Sequence, residues 1–243
     1  MINKISIPFI LNPALLLIFS TIIVSNLGAQ SNSYTRPAFT AKWKEYRQQV
    51  KDDSSRKMVE LKSAIPGLVY DLRYAGTDNF MHRRMYPAST NTTFMRREAV
   101  DKLKKVQDEL EAKGMGLKIF DAYRPYSVTE KFWELVKDER YVANPAKGSG
   151  HNRGIAVDLT IIQIATRREL DMGTGFDNFT DTAHADFKQL PEPVLENRQL
   201  LRTLMEKNGF RVLDTEWWHF YLPGSNHYEI LDISFKELKK PLN

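Results

Sequence analysis

Two histidines and one aspartate have the residue types and spacing of metal ligands. The stretch SGHNRGIAVDLTII, residues 149–162, places His151 in a glycine-punctuated loop and Asp158 in an apolar, β-branched run. A buried carboxylate without a partner costs roughly several kcal/mol, so Asp158 requires one. His219, in the aromatic stretch DTEWWHFY, completes a trio that suits a catalytic zinc site, which keeps a fourth position open. On these residues alone, a metal-free hydrogen-bonded pair explains the pattern equally well.

The spacing of His151 and Asp158 constrains how both can reach one point. Seven residues separate them, and a straight strand would place them on opposite faces. We therefore expect His151 to reach back from the loop. Gly150 and Gly154 make that path feasible because glycine accepts backbone conformations that other residues avoid.

Glu216 and Arg124 are the candidate catalytic residues. Glu216 lies three residues before His219, so the two are out of phase in a strand unless Glu216 lies in the preceding turn. From that turn its carboxylate could face the open metal position and take the proton of a zinc-activated water. Arg124 ends the strand-like run LKIFDAYRP, where Pro125 defines a turn; a surface arginine is the alternative interpretation.

The elements that position these residues alternate between strand and helix patterns. The patterns predict strands over residues 68–73, 117–125, 154–162 and 211–224, and helices over residues 93–114, 127–138 and 195–210. Thr92 or Thr93 is the expected N-cap of the first helix and Gly114 its stop. Residues 172–193 form a long loop, a kind that is usually functional. Without a strict βαβ rhythm, the best fold class is α+β.

Composition narrows the class of protein and its compartment. The chain has 243 residues, 42% hydrophobic and 27% charged, which favours one main domain. Its net charge of +5 is spread over basic pairs separated by acids, so no nucleic-acid partner is predicted. The absence of cysteine excludes disulfides, thiol catalysis and cysteine-based zinc sites.

The first 29 residues have the pattern of a secretory signal peptide. Lys4 precedes an apolar centre near residues 14–24, and Gly28 and Ala29 supply the small residues that end a signal peptide. The alternative is an uncleaved membrane anchor facing outside the cytoplasm. We predict residues 1–29 as the signal, residues 30–60 as a lead-in and residues 61–243 as the catalytic domain. The expected location is the periplasm, with no stable membrane partner after cleavage.

Several motifs resemble peptidase family M15. Its pattern Ser-x-His-x-x-Gly-x-Ala-x-Asp, followed by Glu-x-x-His, is matched from Ser149 to Asp158 and again from Glu216 to His219. More specifically, the chain is similar to the VanX-type D-alanyl-D-alanine dipeptidases of that family. This likeness is carried by YDLRYAGTDNF (residues 70–80), DAYRP (121–125), MGTGFD (172–177) and EWWHF (216–220). The resemblance implies a single α+β zinc peptidase domain with a central antiparallel sheet flanked by helices.

The resemblance also implies a role for each candidate residue. One zinc per chain would be held by His151, Asp158 and His219. Glu216 would act first as general base and then as the acid that protonates the leaving amine. Arg124 would polarise the scissile carbonyl and stabilise the oxyanion.

The implied substrate is the D-alanyl-D-alanine dipeptide, in connection with peptidoglycan turnover. Asp177 would pair with its ammonium and Ser149 would hydrogen-bond the bound dipeptide. The alternative is a D,D- or L,D-carboxypeptidase of the same zinc group; Asp177 favours the dipeptidase. A wall-binding module that lost catalysis is a third possibility, which Glu216 and Arg124 argue against. The sequence predicts no oligomeric state, and an export signal does not suit a cytoplasmic resistance role.

Overall fold

The computed structural model describes residues 34–242 as nine short strands and seven helices. The strands are β1 (Phe39–Thr40), β2 (Met58–Glu60), β3 (Val69–Tyr70), β4 (Phe94–Arg96), β5 (Met115–Asp121), β6 (Ala156–Gln163), β7 (Arg211–Leu213), β8 (Glu216–Tyr221) and β9 (Ile230–Leu231). The helices are α1 (Trp43–Asp52), α2 (Leu61–Ala64), α3 (Arg97–Glu111), α4 (Tyr126–Val136), α5 (Gly150–Arg153), α6 (Glu192–Lys207) and α7 (Phe235–Leu238).

A five-stranded sheet at the centre confirms the α+β prediction. Its strand order is β3-β5-β6-β8-β7; β3 runs parallel to β5, and the other pairs are antiparallel. The register sets Asp158 on β6 opposite His219 on β8. It also sets Asp121, at the end of β5, opposite Asp158. Three polar side chains therefore meet across neighbouring strands at one end of the sheet.

Helices α3 and α6 contribute apolar faces to the main core. In α3 the residues spaced as predicted, Ala99, Leu103, Val106 and Leu110, are all fully buried. They share one cluster with the apolar residues of β5 and β6. This packing gives the sheet a rigid base on which β6 and β8 can hold polar residues.

Three details of the predicted elements were wrong. Helix α3 begins at Arg97 rather than after Thr92 or Thr93, because residues 94–96 form β4, which pairs with β2. Residues 211–224 are a hairpin rather than one strand: β7 and β8 are joined by a turn, with an irregular register between Val212 and Leu213. The strand predicted over residues 68–73 is reduced to the two residues of β3.

The described part of the lead-in packs as part of the domain. A compact unit begins at Tyr34. Strand β1 pairs with β9, β2 pairs with β4, and the buried Tyr46 hydroxyl accepts the Met58 N–H at 2.7 Å. The predicted signal peptide, residues 1–29, lies outside the described residues. Within residues 34–242, the helices are too short or too polar to cross a membrane.

Candidate active site

The structure brings the three predicted metal ligands together. His151 Nε2 lies 3.3 Å from His219 Nδ1 and 3.5 Å from Asp158 Oδ2. His219 Nδ1 lies 2.9 Å from Asp158 Oδ1. Burial alone would raise the pKa of Asp158, but the two imidazoles outweigh burial and hold that pKa below its ordinary value. His151, Asp158 and His219 therefore form one compact cluster of two imidazole nitrogens and a carboxylate, called the metal-ligand group below.

The geometry of this group fits a divalent metal. Ligand atoms bound tetrahedrally at about 2.0–2.2 Å lie roughly 3.3–3.6 Å apart, which is close to the observed separations. His151 Nδ1 lies 2.7 Å from the Ala122 carbonyl oxygen, so Nδ1 carries the proton and Nε2 presents its lone pair to the group. A hydrogen-bonded carbonyl of this kind is the usual outer partner of a metal-ligating histidine.

His151 reaches Asp158 from a one-turn helix rather than from the predicted loop. Ser149 caps α5 by accepting the Asn152 N–H, and the Asn152 side chain accepts the Ser149 N–H in return. Gly154 ends the helix with a φ of 72°, a left-handed conformation that favours glycine. At Gly150 a Cβ would lie 2.8 Å from the Ala156 Cβ. Both glycines are therefore needed to bring α5 close to β6.

Glu216 faces the metal-ligand group from the start of β8. It follows the β7–β8 turn directly, and its Oε2 lies 3.9 Å from His219 Nδ1. The irregular hairpin register explains why residues three apart in sequence share one face. Burial, with the nearby charge of Asp158, raises the pKa of Glu216 to about 7. A carboxylate with such a pKa is suited to both accepting and donating a proton near neutral pH.

Arg124 is held by a buried carboxylate that the sequence analysis did not single out. Asp121 Oδ2 accepts hydrogen bonds from Arg124 Nε at 3.1 Å and from Nη2 at 2.8 Å. Asp121 Oδ1 accepts from the Tyr86 hydroxyl at 2.7 Å. Burial alone would lower the pKa of Arg124, but the charge of Asp121 raises it well above its ordinary value. Arg124 is thus a permanently charged, oriented group and not the surface arginine of the alternative interpretation.

Asp177 lies in the long loop and has few partners. Its backbone adopts a φ of 60°. One carboxylate oxygen accepts the Tyr74 hydroxyl at 2.9 Å, and the other accepts the Phe80 N–H at 3.3 Å. Burial raises the pKa of Asp177 to about 7. Within residues 34–242, no Lys, Arg or His lies within ion-pair distance of this carboxylate.

One cavity of about 370 Å³ is bordered by every residue singled out from the sequence. Its polar lining includes Arg124, Ser149, His151, Asp158, Asp177, Glu216 and His219. Aromatic side chains form much of the remaining wall, among them Tyr74, Phe80, Phe132 and Phe179. A small, polar-centred and apolar-walled cavity of this size is typical of a site for a small ligand.

Two supporting residues were missed, and the sequence held a signal for one. Asp121 ends the apolar run LKIF, so it raised the same question of a buried carboxylate as Asp158. Tyr74 gave no comparable signal, because its hydroxyl meets Asp177 only after 103 residues of intervening chain are folded.

Comparison with known proteins agrees with this geometry. The sequence profile of peptidase family M15, described as D-ala-D-ala dipeptidase, matches residues 54–240. A D-alanyl-D-alanine dipeptidase of Escherichia coli is 34% identical over 179 residues, which cover 74% of this chain and 91% of the relative. One from Enterococcus faecalis is 29% identical over 180 residues, 67% of this chain and 89% of the relative.

A solved structure of the D,D-pentapeptidase VanY with Zn(II) is 17% identical, with a TM-score of 0.36, over 58% of this chain and 83% of the other. The family profile covers most of the residues that build the fold and all seven candidate site residues. With the identity to the Escherichia coli relative, this coverage means that the chain belongs to peptidase family M15, among the D-alanyl-D-alanine dipeptidases.

Proposed function

We propose that this peptidase hydrolyses the free dipeptide D-alanyl-D-alanine with one zinc ion bound by His151, Asp158 and His219. The observation that carries this proposal is Asp177, a carboxylate without a cationic partner in the described residues, on the wall of the cavity that holds the metal-ligand group. The curated relatives that carry the name D-alanyl-D-alanine dipeptidase support the same activity.

Glu216 moves the proton in the proposed reaction. Zinc, when bound, supplies Lewis-acid polarisation and lowers the pKa of water. Glu216 accepts the proton of the attacking water and then donates it to the leaving amine. Its pKa of about 7, raised chiefly by burial, matches the operating pH and so suits both transfers.

Arg124 and Ser149 hold the substrate in the proposed complex. Arg124 stabilises the negative charge that develops on the carbonyl oxygen, and Asp121 keeps its guanidinium in place with two hydrogen bonds. The Ser149 hydroxyl accepts the Asn152 N–H, and its own proton stays available to donate to the dipeptide. Neither group needs to reorganise during the reaction, because both are fixed by the fold.

Asp177 selects for a free ammonium group. In a free dipeptide the ammonium replaces the water lost by the carboxylate and pairs with its charge. In a longer peptide the same nitrogen is an uncharged amide, and an unpaired carboxylate in an interface costs about 2–5 kcal/mol. The neighbouring aromatic rings of Phe80 and Phe179, whose centroids lie 5.0 Å apart, leave little room for a longer chain at this end.

The direct test compares free and acetylated substrate with the zinc-loaded domain. We expect kcat/KM for D-alanyl-D-alanine to exceed that for N-acetyl-D-alanyl-D-alanine by about 30-fold or more. Asp177→Ala should narrow the gap, mainly by damaging turnover of the free dipeptide. Comparable values for both substrates in the unmodified enzyme would exclude the dipeptidase assignment and favour the carboxypeptidase alternative.

Metal analysis tests the ligand assignment independently of activity. We expect about one zinc per chain, and loss of that zinc in His219→Ala, because two ligands hold zinc far less tightly than three. His184→Ala is the matched control, since His184 is half-buried and outside the ligand group. Full occupancy in both His219→Ala and His151→Ala would place the metal elsewhere.

We also propose that residues 1–29 direct export and that the enzyme acts in the periplasm on products of peptidoglycan turnover. The signal-like pattern of the first 29 residues supports this location. Cell fractionation with mass analysis of the mature chain tests it, and we expect a periplasmic chain that lacks these residues. A membrane-bound chain of full length would favour the anchored alternative.

A further inference from the structure

A second cavity shares part of its lining with the first. It has a volume of about 390 Å³, similar to the first. The two cavities share Ser149, Gly150 and His219 as lining residues. Of these two cavities, only the first is bordered by Asp177, the proposed ammonium position. The proposed roles do not use it.

Strand geometry places Tyr221 at this second cavity. Side chains two apart in a strand share a face, so Tyr221 follows His219 on the same face of β8. Their ring centroids lie 6.3 Å apart. Among residues 34–242, the Tyr221 hydroxyl has no hydrogen-bond partner. A polar group beside the metal-ligand group is thus available to a ligand.

The two cavities differ in the sign of their charged lining. The first is bordered by four acidic residues, Glu139, Asp158, Asp177 and Glu216, and by two arginines, Arg124 and Arg140. The second is bordered by two basic residues, Lys147 and Arg153, and by no acidic residue among those described. By formal charge, without a metal, the first lining is therefore net acidic and the second net basic. A zwitterionic peptide that binds with its ammonium at Asp177 extends its carboxyl end toward the basic cavity.

We propose that the second cavity binds the C-terminal residue of the dipeptide and favours a side chain that carries a carboxylate. The substrate class is D-alanyl-D-amino acids with an acidic second residue, such as D-alanyl-D-glutamate. This inference rests on the proposed dipeptidase function, which fixes the direction of the substrate. The α-carboxylate alone would not fill the second cavity, since the volume of that cavity is similar to the volume of the first.

Lys147 is free to exchange its present partner for a substrate carboxylate. Its Nζ lies 3.0 Å from Glu139 Oε2, and the two side chains are 72% and 54% exposed. Such a solvated ion pair is weak and easily replaced. Arg153 is more constrained, because its guanidinium donates to the carbonyl oxygens of Tyr228 and Lys147. It contributes a fixed positive charge, while Lys147 and Tyr221 supply adaptable donors.

The experiment compares D-alanyl-D-glutamate with its neutral isostere D-alanyl-D-glutamine, using the zinc-loaded enzyme. We expect kcat/KM for the glutamate dipeptide to be about fivefold or more higher at low salt, and the ratio to fall as salt screens the basic residues. Lys147→Gln and Tyr221→Phe should each lower this ratio at least threefold. Lys104→Gln is the matched control, since Lys104 is also an exposed lysine paired with a carboxylate and should leave the ratio unchanged.

The outcomes separate this inference from the function on which it rests. Absence of D-alanyl-D-alanine cleavage would overturn the proposed function itself. Cleavage of D-alanyl-D-alanine with equal kcat/KM for the glutamate and glutamine dipeptides would overturn only the acidic-residue inference. A glutamate preference that persists in both Lys147→Gln and Tyr221→Phe would also overturn it, because the preference would then arise outside the second cavity.

Discussion

Asp121 and Asp177 are two aspartates near the cleft with opposite surroundings. Asp121 is fully buried, and its oxygens accept hydrogen bonds from Arg124, Tyr86 and the Ala122 N–H. Asp177 accepts from one hydroxyl and one backbone N–H and faces the cavity. The charge of Asp121 is paired with that of Arg124. Asp177 has no cationic partner among the described residues.

This difference separates a carboxylate that serves the fold from one that serves a ligand. A buried charge with a cation and several donors is stable without any other molecule. Burial raises the pKa of both carboxylates, but at Asp121 the charge of Arg124 opposes this, whereas Asp177 has only neutral donors and its pKa is raised to about 7. Its anionic form is then stabilised most by a cation that arrives from outside. Glu216, also without a Lys or Arg partner among the described residues, has a pKa raised to about 7 for the same main reason.

The largest expected effect comes from Glu216, the unbalanced carboxylate assigned to proton transfer. We expect Glu216→Gln to lower kcat by about 10²–10⁴-fold while zinc content stays near one per chain. The amide keeps the shape of the side chain but cannot accept the proton. Steady-state kinetics and metal analysis check both parts, with the exposed Glu196→Gln as control. Loss of zinc in Glu216→Gln would make Glu216 a ligand instead.

A smaller effect, on stability, distinguishes Asp121 from Asp177. Asp121→Asn leaves the Arg124 guanidinium buried without a counter-charge, which should cost about 3–5 kcal/mol of unfolding free energy. It should also lower kcat/KM, because Arg124 loses its anchor. Asp177→Asn removes no cationic contact and should cost no stability at neutral pH. Urea unfolding of both variants measures the two losses of unfolding free energy. Equal losses would mean that the charge of Asp121 stabilises the fold no more than the charge of Asp177 does.

Asp158 and His219 could be singled out because their residue types are rare in apolar runs. Asp158 lies inside a β-branched strand and His219 between aromatic residues, and the sequence alone suggested that they are partners. The strand alternation of β6 and β8 then sufficed to put them in register. The seven site residues selected from the sequence all border one cavity, including Ser149 and Asp177, which only the family resemblance had indicated.

The surroundings of these residues were less predictable, because they depend on contacts distant in sequence. The sequence pattern predicts residues 94–96 as the start of a helix, but these residues pair with β2 and form a strand. The turn between β7 and β8 has no glycine or proline to mark it, so one long strand was the simpler expectation. Tyr74 and Asp177 are brought together only by the long loop, whose path leaves no pattern in the sequence.

The most gradual effect is a dependence of stability on pH, and it sharpens the comparison most directly. The pKa of Asp177 is raised in the folded chain from 3.8 to about 7, so the folded state binds more protons than the unfolded state between these pH values. Stability contributed by this group is therefore present at low pH and is lost as pH rises from about 4 to about 7. Asp177→Asn has no such titration. The stability of the variant relative to the wild type should rise across this range, by at most about 1.4 kcal/mol per pH unit.

Urea unfolding of the metal-free wild type and Asp177→Asn at several pH values from 4.5 to 7.5 measures this difference. All other groups titrate in both proteins, so their contributions largely cancel when the two curves are subtracted. Asp53→Asn is the control: Asp53 is exposed, and hydrogen bonds from Ser55 lower its pKa from an ordinary value of 3.8, so it is ionised in both states across this range and the difference between that variant and wild type should stay nearly flat. A difference between wild type and Asp177→Asn that stays flat from pH 4.5 to 7.5 would show that the folded chain does not raise the pKa of Asp177, and would remove the main argument that its partner is a substrate ammonium.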